Sequence, residues 1–363
     1  MGLARLSAGH AETAEPGKTR EMPIEIERAW SDLNLRLKEV ELGAGLPAAL
    51  IALEARDRDS GFLKDTLQPV ERHTFSHPDD PARHYRVQYN PRRALRFTAP
   101  LQGHANPPQR NGSCVLCREN IRWQQKGLQL GYRVETGERA YFALMNPFPL
   151  LPAHTNFAST EHRPQDWRFR DESGLDAAAL ICDLVKLADR MPGHLGFYNG
   201  VGAGASIPGH LHYQFVMRPQ GKGEFPLEIA ARNAGGGKGG PSFVERYPLE
   251  VAVWKGDADD VAARASDWIV LWAERNRERI DGLTSNLIAS RDLNSGNLVF
   301  YFVPRDRAKS RPGSFSSLAG VLEVLGEIVL STREEKAQLD AGLINYLTLE
   351  TALASLHTPL ESE

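Results

Sequence analysis

Two histidines and a glutamine stand at alternate positions in His210-Leu-His212-Tyr-Gln214-Phe-Val-Met. They follow a run of small residues, Asn199-Gly-Val-Gly-Ala-Gly-Ala-Ser206. Alternation with period two is strand geometry, so His210, His212 and Gln214 should share one face. The run from Gly200 to Ser206 leaves backbone N–H groups free to approach an anion, and Pro208-Gly209 turns the chain into the strand. An imidazole beside such a loop can attack a phosphorus, and an amide can hold the oxygens of the group being moved. The competing interpretation is a buried strand with one polar face, which obliges three polar side chains to find partners. Two nucleotide-loop patterns fail on context. Gly200-Val-Gly202-Ala-Gly204 carries part of a dinucleotide fingerprint, but that fingerprint must open a helix and here a strand follows. Gly235-Gly-Gly-Lys238-Gly has no Ser or Thr after the lysine, so it is not a P-loop and reads as a flexible linker.

A second cluster of chemistry begins at Cys114-Val-Leu-Cys117. This spacing brings two thiolates within reach of one metal ion and is half of a zinc site. Cys182 stands alone, so the missing ligands should be histidines, and His154 and His162 both lie downstream. A redox pair is the weaker alternative, because the cysteines are not expected to open a helix after a strand. The stretch from Arg86 to Phe97 alternates weakly and is rich in arginine. Its guanidinium forks suit phosphate oxygens, and equally they suit a solvated edge strand.

These residues need elements to hold them. Ile24 to about Ala55 has a helical pattern, and His73 to His84 reads as loop. Tyr141 to Pro152 reads as a buried strand running into proline turns. Ser173 is a candidate N-cap for a helix carrying Leu180, Leu184 and Leu187, with Cys182 as an apolar filler. His194 to Tyr198 is then a strand leading into the glycine run. After the linker the same order returns: a strand at Leu249–Trp254, a helix from Val261 to Arg279, and strands at Ser285–Ser290 and Asn297–Arg305. The last strand and the histidine strand both end in Phe-Val, one residue, then arginine. We read this as a diverged internal repeat in which Asn297, Val299 and Tyr301 replace His210, His212 and Gln214. The domains expected are a disordered tail at 1–20, a first half at 21–234, the linker at 235–240, a second half at 241–340, and a C-terminal tail or helix at 341–363.

Bulk properties exclude some classes. A net charge of −3 gives no global basic field for nucleic acid. No apolar run reaches the roughly 18 residues of a membrane span. The first residues lack a hydrophobic signal core, and Leu6 stands where a myristoylation motif wants Ser or Thr. Three cysteines in 363 residues make no disulfide framework. The expectation is a soluble cytoplasmic protein with no nucleic-acid or membrane partner.

From about Asn90-Pro91 to Arg305 the chain resembles the galactose-1-phosphate uridylyltransferase branch of the histidine-triad superfamily. That branch includes diadenosine tetraphosphate phosphorylases and GDP-hexose phosphorylases. The resemblance rests on Asn199, Gly-Ala-Ser206 and His210-x-His212-x-Gln214, supported by Cys114-x-x-Cys117, Asn146-x-Phe-Pro149 and Phe157-x-Ser159-x-x-His162. It implies an α+β fold of two diverged halves, with antiparallel sheets flanked by helices. It also implies a nucleotidyltransferase or phosphorylase. His212 would attack the α-phosphorus of a nucleotide-sugar or dinucleoside polyphosphate, and phosphate or a sugar phosphate would then accept the nucleotidyl group. Gln214 would hold a non-bridging oxygen. Asn199, Gly202, Gly204 and Ser206 would cradle the phosphates. Zn2+ would sit on Cys114, Cys117, His162 and His210, with His154 competing for the third of these places. Four protein ligands leave no open position, so such a zinc would be structural and would fix His210 beside His212. Phosphoryl transfer needs charge neutralisation, for which Arg92, Arg93, Arg305 and Arg307 are candidates. The chain departs from the uridylyltransferases in having one more residue between Ser206 and His210, and it lacks a clear match to their sugar-binding residues. Hydrolysis and a catalytically silent nucleotide binder are the alternative readings. The resemblance allows a homodimer, although no isolated apolar stripe demands one.

Overall fold

The computed structural model describes residues 24–64, 67–94, 114–124, 127–137, 139–166, 177–218, 223–234, 240–292 and 295–360. The expected tail at 1–20, the N-cap Ser173 and the linker at 235–239 lie outside the described residues.

Helices α1 (Ile24–Ala44) and α2 (Leu46–Asp59) come first. They divide the expected single helical stretch at Gly45, whose φ of 86° breaks the helix before Pro47 restarts it. Strands β1 (Glu71–Ser76) and β2 (His84–Tyr89) follow. The expectation of loop at 73–84 is therefore corrected over 73–76. β1 is mostly exposed and has no apolar alternation to reveal it; its strand geometry comes from pairing with β2. Nor is β2 an edge, since β12 (Glu327–Leu330) pairs with its other side in parallel. A short helix, α3 (Arg118–Gln124), begins directly after Cys117; the residues before Cys114, where a redox pair would need a strand, lie outside the described residues.

The remaining strands are β3 (Tyr132–Glu135), β4 (Ala140–Met145), β5 (Thr155–Ser159), β6 (His194–Asn199), β7 (His212–Met217), β8 (Ser242–Phe243), β9 (Ala252–Gly256), β10 (Leu283–Arg291) and β11 (Leu298–Asp306). Among the described residues they form one antiparallel sheet in the order β3-β4-β5-β7-β6-β10-β11-β9-β8. Helices α4 (Ala177–Asp189) and α5 (Ala258–Arg275) cover one face together with α1 and α2. Leu184, Ile269, Tyr213, Phe215, Phe300 and Phe302 belong to this core. The other face packs Phe197, Val216, Ile288 and Tyr301 against Val87 of β2, Ile328 of β12 and the C-terminal helix α7 (Tyr346–Ala354), which follows α6 (Arg333–Asp340).

The internal repeat has a geometric counterpart. β5-α4-β6-β7 and β9-α5-β10-β11 share an order, and their strands lie as β5-β7-β6 and then β10-β11-β9. That is the arrangement of a two-fold axis between β6 and β10. Phe197 pairs with Gln214, Ile288 pairs with Tyr301, and Phe197 and Ile288 pair with each other across the axis. The halves are therefore joined edge to edge in one sheet. The 21–234 and 241–340 segments are also linked through β2 and β12.

Candidate nucleotidyl-transfer site

His212 is the first residue of β7, on the sheet face away from α4 and α5. Its ring Nδ1 lies 2.8 Å from the carbonyl oxygen of His210. A carbonyl only accepts, so Nδ1 carries the proton and Nε2 carries the lone pair. Nε2 has no hydrogen bond among the described residues. Burial pulls the imidazole pKa down to about 4, against the smaller opposing effect of the His210 carbonyl. At neutral pH the ring is therefore an uncharged imidazole of fixed tautomer, with the chemistry that a nucleophile needs.

Gln214, two positions on, presents its amide to the same face. Its Oε1 accepts from His154 Nε2 at 2.8 Å, while His154 Nδ1 accepts from the Leu150 N–H at 3.2 Å. The backbone donor sets the His154 tautomer, and that tautomer sets which end of Gln214 is spoken for. The Nε2 of Gln214 has no partner among the described residues and is left as a donor. His154 thus belongs to Gln214 rather than to the metal cluster.

Cys114, Cys117, His162 and His210 have their ligand atoms within 4.8 Å of one another. Cys114 Sγ is 3.3 Å from His210 Nδ1, and Cys117 Sγ is 3.3 Å from His162 Nδ1. Two thiols and two imidazoles at this separation suit a tetrahedral ion. His210 Nε2 donates to the Ser159 carbonyl at 2.8 Å, which turns Nδ1 toward the sulfurs. Cys114 is held well below the usual thiol range, chiefly by the hydrogen bond from Cys117, so the cluster favours a thiolate. The cysteines are held against histidines from the β5 and β7 ends, an arrangement that could hold a metal ion.

The glycine loop lies against the second half. Gly202 and Gly204 have φ of 82° and 92°. A Cβ at Gly204 would stand 2.3 Å from Gly320 Cα, and one at Gly202 would stand 2.9 Å from Arg307 Cα. Both the left-handed backbone and the close approach demand glycine. Ser206 is exposed in the turn before His210. Asn199 ends β6, and its Oδ1 accepts from Asn286 Nδ2 at 2.8 Å and from the Val321 N–H at 3.0 Å.

The arginine candidates separate. Arg305 is fully buried and donates to Asn286 Oδ1, the Ala319 carbonyl and the Lys309 carbonyl. Its expected place on the phosphates is corrected, because the guanidinium is inside the second half and engaged there. Arg307 lies beside Gly202 and pairs with Asp166 at 3.4 Å. Arg93 donates to the Phe148 carbonyl, next to the Asn146 turn that also contacts His154, and Arg92 donates to the Lys64 carbonyl. The repeat's counterpart of the site is filled. Val299, Tyr301 and Ser290 line a void of about 10 Å³ closed by the Arg218–Glu228 ion pair, room for a single water.

Gln165 was not singled out by its sequence position. It is fully buried; its Nε2 donates to the carbonyls of Asn199 and His212, both at 3.0 Å, and its Oε1 accepts the His212 N–H at 2.7 Å. This one side chain ties the end of β6 to the start of β7. Gln165→Leu should cost about 3 kcal/mol or more, because three buried backbone groups lose their partner. In urea denaturation the midpoint should fall with the slope unchanged; an unchanged midpoint would show that the clamp contributes nothing.

A polar histidine strand near the centre of an antiparallel sheet built from two related halves is a fold shared with solved structures. Yeast Ap4A phosphorylase Apa2 superposes with a TM-score of 0.56 at 18% identity, covering 85% of this chain and 96% of that one. Its complexes with AMP and with Ap4A give 0.53 and 0.52, at 20% and 19% identity. Protein APA1 of Saccharomyces cerevisiae is 32% identical over 83 residues, which span 23% of this chain and 25% of that protein. Residues 61–217 match a family described as a domain of unknown function, DUF4922. None of the described helices is long and apolar enough to cross a membrane.

Proposed function

We propose that this chain transfers a nucleoside monophosphate from a dinucleoside polyphosphate or nucleotide-sugar to phosphate or a sugar phosphate, through a nucleotidyl group on His212. The observation that carries this reading is the tautomer of His212, protonated at Nδ1 by its bond to the His210 carbonyl and bare at Nε2. In the first step the Nε2 lone pair forms a bond to the α-phosphorus. The bridging P–O bond breaks, and the rest of the donor leaves with that electron pair. In the second step an acceptor oxygen attacks, the P–N bond breaks, and the lone pair returns to His212. The free N–H groups of Gln214 and Asn199 hold the non-bridging oxygens, where charge grows. Arg307, beside the glycine loop, is the arginine we place nearest the phosphates. Apa2's complexes with AMP and Ap4A favour a dinucleoside polyphosphate donor.

We assign zinc to Cys114, Cys117, His162 and His210, in a structural role. It would hold His210, whose carbonyl holds His212. Free thiols at all three cysteines accord with a cytoplasmic compartment.

The test is intact-protein mass after brief incubation with Ap4A, without phosphate. The expected result is an increase of one nucleoside monophosphate, discharged as ADP when phosphate is added. Release of AMP without phosphate would make the protein a hydrolase. No adduct and no turnover with Ap4A, UDP-glucose, ADP-glucose or GDP-hexoses would remove the reading.

A further inference from the structure

The second half keeps no nucleophile, yet its β10 strand holds the loop that the first half would use. Asn286 lies opposite Asn199 in the β6–β10 pair at the centre of the sheet. Both ends of the Asn286 amide are engaged. Oδ1 accepts from Arg305 Nη1 at 2.7 Å, and Nδ2 donates to Asn199 Oδ1 and to the Ala203 carbonyl, both at 2.8 Å. Asn286 and Arg305 are fully buried, so water offers no alternative partners.

An amide can face either way, but a guanidinium has donors and no acceptor. Arg305 therefore dictates that the carbonyl end of Asn286 faces it. The NH2 end must then face Asn199 and Ala203, and Asn199 must answer with its oxygen. The Val321 N–H, also only a donor, reaches the same oxygen at 3.0 Å. What remains to Asn199 is its Nδ2, which has no hydrogen bond among the described residues. Phe197 pairs with Gln214, so two steps along the same strands bring Asn199 beside His212, and Gln165 Nε2 bridges their carbonyls. The free donor is on the face that carries the nucleophilic imidazole.

We propose that Asn286 and Arg305 are positioning residues that fix the polarity of Asn199, so that it presents an N–H and not a carbonyl to the transferred phosphoryl group. This rests on the nucleotidyl-transfer reading. A reversed Asn199 would place an oxygen against phosphate oxygens. The second half would then serve as an orientation device for the first, which accounts for a buried asparagine on the strand next to the loop and a buried arginine on the strand beyond it.

Asn286→Asp is nearly isosteric and tests this directly. Its carboxylate still accepts from Arg305 but can no longer donate to Asn199 or Ala203. In single-turnover adduct formation from Ap4A, the rate at saturating donor should fall on the order of 10²-fold, the usual cost of losing one donor to developing charge. The half-saturating concentration should move much less, since the donor acts chiefly as charge develops. A folded Asn286→Asp protein with the parent rate overturns the proposal and leaves the His212 chemistry standing. No adduct in the parent chain overturns the nucleotidyl-transfer reading, and the proposal with it. Should Asn286→Asp fail to fold, the parent protein labelled with 15N-asparagine decides. The Asn199 side-chain amide signal, identified by its loss in Asn199→Asp, should shift on addition of AMP. A signal unmoved at saturating AMP overturns the proposal.

Discussion

His212→Ala folds, takes up no nucleotidyl group from Ap4A, and turns donor over at less than about one thousandth of the parent rate. The size of the loss follows from what is removed. In the two-step route every displacement passes through His212 Nε2, so its deletion closes the route rather than slowing it. Gln214, Asn199 and the glycine loop remain, and they can still bind donor and stabilise charge for a slow attack by water. The fold should survive because the deletion is local. His212 gives up one side-chain bond to the His210 carbonyl, worth about 1 kcal/mol. Its backbone N–H and carbonyl stay clamped by Gln165. The checks are intact mass with Ap4A, product analysis with phosphate, and thermal melting beside the parent. Full activity in this variant would exclude His212 as the nucleophile, and a lost transition on melting would make the activity result uninterpretable until a milder His212→Asn variant is measured.

The parts of this site that were legible in the sequence are those encoded by short-range spacing. His-x-His-x-Gln announces a strand face because period two is strict, and this holds for His212 and Gln214, whereas His210 stands just before β7 with its ring against the cysteines. Cys-x-x-Cys points to a metal site because two thiolates three positions apart can meet at one ion. The repeat was legible from element order, and it corresponds to the two-fold arrangement of strands about β6 and β10. What escaped is held by partners far apart in the chain. Gln165 meets His212 across 47 positions, His154 meets Gln214 across 60, and Asn286 meets Asn199 across 87. No local pattern marks a glutamine that will clamp two strands. Arg305 misled for a related reason. An arginine following an alternating strand looks like a rim charge, and only the packing of Gly320 and its neighbours over β11 turns it into a buried donor. β1 was missed because its side chains are mostly exposed, so backbone pairing defines it rather than hydrophobic contrast.

Loss of the metal should cost both stability and activity, and the two losses should travel together. Cys117→Ser is expected to purify with little zinc, against about one ion per parent chain, and to melt about 10 °C lower. A structural zinc site contributes several kcal/mol to the folded state, and a chain of this size loses a few degrees for each. The four ligands come from three separate places, the turn before α3, the segment after β5 and the approach to β7; the last two are already tied by hydrogen bonds such as Leu211 N–H to the Arg163 carbonyl, so the ion's main structural contribution is to fasten the cysteine turn to them. The activity loss has a specific route. The ion would fix the His210 ring, the His210 backbone follows its ring, and the His210 carbonyl sets the proton on His212 Nδ1. A looser His210 lets the His212 imidazole turn or change tautomer, which removes the lone pair from the attacking nitrogen for part of the time. The rate of adduct formation should therefore fall on the order of tenfold to a hundredfold while Ap4A binding changes little, the range over which outer supports of a reacting group usually act. Metal analysis, melting and single-turnover mass measurements on the parent, on Cys117→Ser and on chelator-treated protein test the three links separately. A chelated protein free of metal that keeps its melting temperature would refute the structural role. One that melts early but, while still folded, forms adduct at the parent rate would break the link from His210 to His212.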